Sequence, residues 1–171
     1  MSRRIVIDAC VARSSGDENA TATRARNCRD VLKAILEICH RVVWSDAIVA
    51  EWNAHQSRFA RRFRQSMAAR RKWSPLVVEP DEELRERILQ TTGGEPDRGE
   101  LEKDLHLLEA AMASDRVIVS LDGTARELLA AAAQQVGEIG QVMWVSPEND
   151  VAAVIAWLQR DAPAEAIYML G

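Results

Sequence analysis

The chain has 171 residues, of which 47% are hydrophobic and 28% are charged, and its formal net charge is −4. These proportions are typical of a globular protein and exclude extensive disorder. The longest apolar runs, such as Val151 to Leu158, are too short to cross a bilayer, so we expect no membrane partner. The three apolar residues between Arg4 and Asp8 are too few for the core of a signal peptide.

The cysteine pattern favours a reducing compartment. Cys10, Cys28 and Cys39 form no Cys-x-x-Cys pair and leave an odd count. This pattern predicts neither a disulfide framework nor a zinc ribbon, and it predicts a cytoplasmic protein. Cys28 and Cys39 lie eleven residues apart in a helical pattern, and we interpret both as small buried hydrophobic residues.

Short runs rich in Val and Ile alternate with helical patterns along the chain. The predicted strands cover residues 4–7, 41–44, 75–79, 116–120 and 141–145. The predicted helices, marked by apolar residues three and four apart or by capping signals, cover about 22–40, 47–71, 82–90, 100–113, 124–135 and 147–160. Residues 91–99 contain three glycines and one proline and are predicted to form a flexible loop.

This alternation predicts parallel βαβ units and an α/β fold, a three-layer α/β/α sandwich with a mainly parallel central sheet. We expect a single domain over residues 1–160, with a helical or loop extension at about 57–100. Residues 161–171 are predicted to be a loosely attached C-terminal tail. Capping signals at Thr124 and Ser146 are predicted to start the last two helices.

Four acids are predicted to meet at one edge of this sheet. Asp8 ends the first strand and Asp122 follows the fourth, so both lie at the carboxyl edge, where ligands bind in such sheets. Crossover helices run antiparallel to the strands and begin at the same edge. Glu51 and Asp104 lie in the first two turns of such helices, and Asp115, which precedes its strand, is expected at the opposite edge.

Four neighbouring carboxylates repel one another unless a cation lies among them. Oxygen ligands suit Mg²⁺ or Mn²⁺, and such an ion can activate water against a phosphodiester. The pattern therefore predicts metal-assisted phosphodiester hydrolysis. Taken singly, each acid is better explained as a turn residue, a helix cap or a solvated side chain, so the prediction depends on all four agreeing with one topology.

Four segments resemble the PIN-domain ribonucleases, a family that includes the toxin half of many bacterial toxin–antitoxin pairs. The matching segments, each containing one of the acids, are Ile5–Asp8, Ser45–Glu51, Lys103–Ala111 and Val117–Asp122. Their order and their strand and helix settings agree with the family over most of residues 4–145.

The resemblance implies an endoribonuclease that uses Mg²⁺ or Mn²⁺ and leaves 5′-phosphate and 3′-hydroxyl ends. It also implies RNA as substrate and a supporting role for the Ser120 hydroxyl, and it makes an antitoxin protein a candidate partner. The residues that would bind the metal are Asp8, Glu51, Asp104 and Asp122. Ala9 and Cys10 stand where the family commonly has a hydroxyl residue followed by Asn or Ser, which predicts a loss of polar support for Asp8.

A basic segment between residues 58 and 72 is a candidate RNA-binding surface, because guanidinium groups bind phosphates and stack on bases. Its members are Arg58, Arg61, Arg62, Arg64, Arg70, Arg71 and Lys72. A solvated helix face or an antitoxin-docking surface explains the pattern equally well. Phe59 and Phe63, four residues apart, are predicted to be core residues.

Other residues receive structural interpretations. His106 is predicted to point away from Asp104 and to be structural, and His55 is predicted not to bind metal. Glu109 and Asp115 are predicted to be surface charges. The Ala-rich segment 128–133 and Trp157 are interpreted as packing or homodimer surfaces.

Two alternatives to a ribonuclease stay open. One is a structure-specific DNA nuclease that uses the same acids. The other is a non-catalytic RNA-binding or protein-interaction domain with this fold. A phosphatase of the haloacid dehalogenase class is set aside, because its second Asp would fall at Cys10.

Overall fold

A five-stranded sheet forms the centre of the fold. The computed structural model describes residues 2–171, and in this range all pairs of neighbouring strands are parallel. The strands are β1 (Arg4–Ile7), β2 (Arg41–Trp44), β3 (Trp73–Pro75), β4 (Val117–Val119) and β5 (Met143–Val145). Their spatial order is β3-β2-β1-β4-β5, so the chain extends the sheet from its centre to one edge and then from its centre to the other.

Helices flank the sheet. Within the described range they are α1 (Ala9–Ser14), α2 (Thr23–Glu37), α3 (Asp46–His55), α4 (Arg58–Ala69), α5 (Glu82–Leu89), α6 (Glu95–Met112), α7 (Gly123–Ala133) and α8 (Val151–Gln159). α2 packs against α4 and α8, whereas α6 packs against α5 and α7. The predicted α/β/α sandwich is therefore confirmed. Among residues 2–171, no helix is long and apolar enough to cross a membrane.

The central strands are buried on both sides. Ile5, Val6 and Ile7 of β1 have no solvent exposure, and β4 is equally buried. Strands of a parallel sheet are covered by helices on both faces, which is why they consist of continuous apolar runs rather than alternating ones. This burial fixes the carboxyl ends of β1 and β4 side by side.

The predicted single helix over 47–71 is wrong, because two helices occupy this segment. Gln56 is extended (φ −60°, ψ 135°), and the Ser57 Oγ accepts a hydrogen bond from the Ala60 N–H at 3.1 Å. A serine cap of this kind starts a new helix. Glu51 therefore lies on one helix, and most of the basic segment lies on the next helix.

The third strand lies earlier than the predicted range 75–79. Trp73 pairs with Val42, and Pro75 pairs with Trp44. Val77, in the middle of the predicted strand, is 88% exposed. The β-branched pair Val77-Val78 has the composition of a strand, but the strand is formed by Trp73–Pro75, and the Trp73 ring stacks on Trp44.

The predicted flexible loop 91–99 is wrong over its second half, because α6 begins at Glu95. Pro96 lies in its first turn, where the fixed φ of proline suits a helix and its missing N–H costs nothing. The predicted caps at Thr124 and Ser146 are also wrong. The caps are Asp122, whose carboxylate accepts from the Ala125 N–H at 2.8 Å, and Asp150.

The C-terminal segment is not loosely attached. Met169 forms an antiparallel bridge with Met143 at the edge of β5. The Trp144 N–H donates to the Tyr168 carbonyl at 2.8 Å, and Tyr168 and Leu170 are buried. The segment thus covers an edge strand that would otherwise expose unpaired backbone groups.

The two helical cysteines differ from each other. Cys28 is buried as predicted, and burial raises the pKa of its thiol to about 12. Cys39 is exposed, so its predicted burial is wrong. α2 ends at Glu37, before Cys39, and the helical spacing that equated the two residues does not apply.

Candidate functional site

The sheet has a point where its connections reverse. β1 and β4 are neighbours, but the chain leaves β1 towards β2 and leaves β4 towards β5. In open parallel sheets, ligand sites form beyond the carboxyl ends of the strands at such a reversal. Asp8 follows β1 directly, and its N–H donates to the Val119 carbonyl at the end of β4 at 3.0 Å. Asp122 lies three residues beyond β4.

The four predicted acids line one cavity of about 420 Å³ at this reversal. They reach it from four different places: the start of α1, the middle of α3, the middle of α6 and the start of α7. The full lining is Asp8, Ala9, Cys10, Arg13, Glu51, His55, Glu100, Lys103, Asp104 and Asp122. The structure thus brings together the side chains that the strand-edge argument selected.

Ser120 connects the two aspartates that follow the strands. Its buried hydroxyl donates to Asp8 Oδ2 at 2.6 Å and accepts from the Asp122 N–H at 3.0 Å. The cavity therefore has the hydroxyl contact that the resemblance implied.

Cys10 supports Asp8, contrary to the predicted loss of polar contacts. Its N–H donates to Asp8 Oδ1 at 3.0 Å, and its thiol donates to Asp8 Oδ2 at 2.8 Å. The sulfur also accepts from the Leu121 N–H at 3.3 Å. Burial and the adjacent Asp8 charge raise the pKa of the thiol, so it stays protonated and available as a donor.

Asp104 is the carboxylate most affected by its neighbours. Burial, with the charges of Asp8 and Asp122, raises its pKa to about 7. No hydrogen-bond donor within residues 2–171 stabilises its charge. Its ionised form is therefore unfavourable, and a cation in the cavity would stabilise it.

The substitution Asp104→Asn is expected to stabilise the metal-free protein, and increasingly so as the pH rises from about 4 to about 7. Between its ordinary pKa of 3.8 and the folded value of about 7, the folded protein retains a proton that the unfolded chain releases. Stability from this group is therefore lost as the pH rises through that window, and asparagine cannot ionise. Thermal denaturation in EDTA across this range measures the effect. A difference between variant and wild type that is independent of pH would contradict it.

His106 contacts the remaining acid, Glu51. Its Nε2 lies 3.1 Å from Glu51 Oε2, and its Nδ1 lies 2.7 Å from the Lys103 carbonyl. Both neighbours are acceptors, so the protonated ring can donate to both of them. Burial lowers its pKa, but the bond and charge of Glu51 outweigh burial and raise it overall. This contact was not predicted from the sequence.

Basic side chains complete the cavity. Arg13 and Lys103 are exposed at its wall, and Lys103 Nζ pairs with Glu100 at 2.8 Å. His55 also lines the cavity, at its exposed side. Groups of this kind suit a phosphate that approaches the carboxylates. Neither Arg13 nor Lys103 was singled out from the sequence, because α1 was not predicted and Lys103 has no distinctive spacing.

The carboxylates in the cavity are the kind of ligand that a hard divalent cation binds, although the side chains are not arranged in a coordination geometry. Within residues 2–171, no group of three His, Cys, Asp or Glu side chains is already arranged to hold an ion. The carboxylates nevertheless offer oxygen donors, the ligands that Mg²⁺ and Mn²⁺ prefer. Both oxygens of Asp104 and Oδ2 of Asp122 accept no hydrogen bond from the described residues, so they are available to a cation.

The basic segment is partly engaged with the protein itself. Arg62 pairs with Glu18 at 2.6 Å, and Arg58 lines the same acidic cleft. Arg70 and Lys72 donate to backbone carbonyls near the end of α2. These four residues therefore have protein neighbours that compete with RNA.

The rest of the basic segment is differently placed. Arg64 lies over the rings of Trp44 and Trp73, at 5.0 Å and 5.3 Å, and burial lowers its pKa. Arg61 and Arg71 are exposed, and their side chains form no hydrogen bond or ion pair with the described part of the chain. Phe59 and Phe63 are buried, as predicted.

Glu109 is not the predicted surface charge. It is buried and accepts two hydrogen bonds from the Arg85 guanidinium, at 2.6 Å and 2.7 Å. A second, more apolar cavity of about 320 Å³ lies beside this pair, with His106 in its wall and Asp46 at its edge. Asp115, as predicted, lies at the opposite edge of the sheet, where it pairs with Arg4 at 2.9 Å.

The fold and the cavity together define a parallel α/β protein with an acidic pocket at the reversal of its sheet. No family model, no curated protein and no solved structure matches the chain.

Proposed function

We propose that this protein is a metal-dependent endoribonuclease of the PIN-domain type. The observation that carries the proposal is that four carboxylates from separate segments line one cavity, beyond β1 and β4. Acidic side chains that are merely solvated are usually spread over the protein surface and do not line one cavity. The raised pKa of Asp104, about 7, adds support, because burial and the charges of Asp8 and Asp122 disfavour its ionised form and a bound cation would stabilise that form.

Asp8, Glu51, Asp104 and Asp122 would hold the Mg²⁺ or Mn²⁺ ion. When bound, the ion supplies polarisation of the phosphate and a lower pKa for water. The chain supplies the positioning: Ser120 and Cys10 hold Asp8, and His106 holds Glu51.

Arg13 and Lys103 line the same cavity and would bind the phosphate oxygens. The reaction is hydrolysis: the water oxygen forms a bond to phosphorus, the bond from phosphorus to the 3′ oxygen breaks, and that oxygen takes up a proton. The products carry a 5′-phosphate and a 3′-hydroxyl.

Arginines on α4 support RNA as the substrate class, because a guanidinium can contact both a phosphate and a base. A toxin role, an antitoxin partner, a homodimer and a cytoplasmic location stay predictions from the sequence and the resemblance.

We expect the purified protein to cleave single-stranded RNA in millimolar Mn²⁺, but not in EDTA, and to leave 5′-phosphate ends. Gel separation of labelled fragments, with and without phosphatase treatment, measures both. DNA of the same sequence serves as the control. Preferential cleavage of DNA would favour the DNA nuclease instead, and cleavage of neither substrate would contradict the proposal.

A further inference from the structure

A separate cavity of about 330 Å³ lies between α3, α4 and the start of β3. Asn53 and Gln56 line it from the last turn of α3 and the residue that follows. Arg61, Arg64 and Gln65 line it from α4, and Trp73 forms another part of its wall. It shares no residue with the acidic cavity.

The lining is uncommon in its chemistry. It contains two guanidinium groups, three carboxamides and an indole, and it contains no acidic side chain. Guanidinium groups bind phosphate, carboxamides donate and accept hydrogen bonds in the patterns of base edges, and an indole packs against a base. The combination matches one nucleotide.

Part of this lining lacks a partner. Gln56 Oε1 is buried and accepts no hydrogen bond from any residue in the described range. A buried amide oxygen without a donor is unfavourable, so a bound ligand towards which the Gln56 side chain can turn would stabilise it. The exposed side chain of Arg61 is likewise without a hydrogen bond or an ion pair among residues 2–171.

The rest of the lining is fixed in place. Arg64 donates to Asn53 Oδ1 at 2.6 Å, and its guanidinium lies over the Trp73 ring. Trp73 in turn stacks on Trp44, with ring centroids 4.4 Å apart. Aromatic and guanidinium planes that are already ordered lose little conformational freedom when a base binds.

We propose that this cavity binds one nucleotide of a single-stranded RNA, with Arg61 on the phosphate, Trp73 beside the base and the carboxamides on the base edge. The inference rests on the proposed function in one respect, namely that RNA is the ligand. It adds a second contact region. Asn53 and Glu51 are two residues apart on α3, which points them about 200° apart, so the two cavities lie on different sides of one helix.

Binding in EDTA tests the site without cleavage. The probes are a fluorescein-labelled oligouridylate and the same backbone with abasic positions. Arg61→Ala and Gln65→Ala change exposed side chains, so they are expected to fold normally and to weaken oligouridylate binding by about fivefold or more, since each removes one hydrogen-bonding group. Arg26→Ala removes an exposed arginine of α2 outside the cavity and is expected to bind as wild type does.

The abasic probe separates a nucleotide site from general attraction to phosphate. We expect it to bind more weakly than oligouridylate and to lose less affinity on Gln65→Ala. Equal binding of both probes, unchanged affinity in both cavity variants, or an equal loss in Arg26→Ala would overturn the inference. Cleavage in Mn²⁺ is measured separately. Wild-type cleavage together with unchanged binding by the cavity variants would refute this site alone, whereas specific binding without any cleavage would refute only the catalytic proposal.

Discussion

Asp8→Asn and Asp122→Asn are each expected to lower Mn²⁺-dependent RNA cleavage by at least about 100-fold. Mutating a residue that only hydrogen-bonds to a metal ligand already lowers activity by about 10 to 100-fold, and these variants change proposed ligands themselves. Asparagine keeps the size of aspartate and one acceptor oxygen. The caps to the N–H groups of Cys10 and Ala125 can therefore remain, and the Ser120 hydroxyl can turn to accept from the new amide. Each variant removes one negative charge from the cavity and leaves the helix start intact.

Asp46→Asn is the matched control. Asp46 is an exposed carboxylate in the first turn of α3, near the same edge of the sheet, but it lines the neighbouring cavity. We expect its activity to match that of the wild type. Initial rates at saturating Mn²⁺, with circular dichroism to confirm the fold, measure all three variants. Undiminished cleavage by Asp8→Asn or Asp122→Asn would remove these residues from the mechanism.

Arg85→Met is expected to lower the free energy of unfolding by about 2–3 kcal/mol, because it leaves the Glu109 carboxylate buried without its partner. The carboxylate is 7% exposed and the arginine 26% exposed, which reduces the effect below that of a fully buried pair. Glu109 would keep only the bond from the Asp81 N–H, at 3.1 Å. Urea denaturation measures the change.

Arg87→Met, two residues away on α5, is the control for this prediction. Its pair with Glu138 is 44% and 46% exposed, so its loss should cost about 0.5 kcal/mol or less. Adding Glu109→Gln to Arg85→Met should recover much of the larger loss, because it removes the unpaired charge. Equal destabilisation by Arg85→Met and Arg87→Met would show that burial of Glu109 does not determine the effect.

The central strands were predictable because their local sequence pattern is distinctive. Residues such as Ile5 and Val117 belong to continuous apolar runs, and these runs are the ordinary pattern of strands buried on both faces. The pattern failed where long-range contacts decide. The Trp73 ring stacks on Trp44, and the Tyr168 carbonyl accepts a hydrogen bond from the Trp144 N–H. Neither contact leaves a local signal in the sequence.

Asp8 and Asp122 could be selected from the sequence because parallel topology places the strand ends at one edge. Asp104 was expected in the first two turns of its helix, which is wrong, because α6 begins at Glu95 and Asp104 reaches the cavity from the middle of that helix.

The surroundings of the acids could not be predicted from the sequence. The Cys10 thiol reaches Asp8 only because Asp8 begins a six-residue helix that the sequence pattern did not reveal. The contact between His106 and Glu51 depends on how α3 and α6 pack, which residue spacing within one helix cannot predict.

The most direct test of a metal site in this cavity is a calorimetric titration of Mn²⁺ into the metal-free wild type and into the double variant Asp8→Asn/Asp122→Asn. We expect saturable binding in the millimolar range or tighter for the wild type and none for the double variant, because the cavity then loses two of its four carboxylates. Absence of binding by the wild type, or the same isotherm for both proteins, would contradict the account.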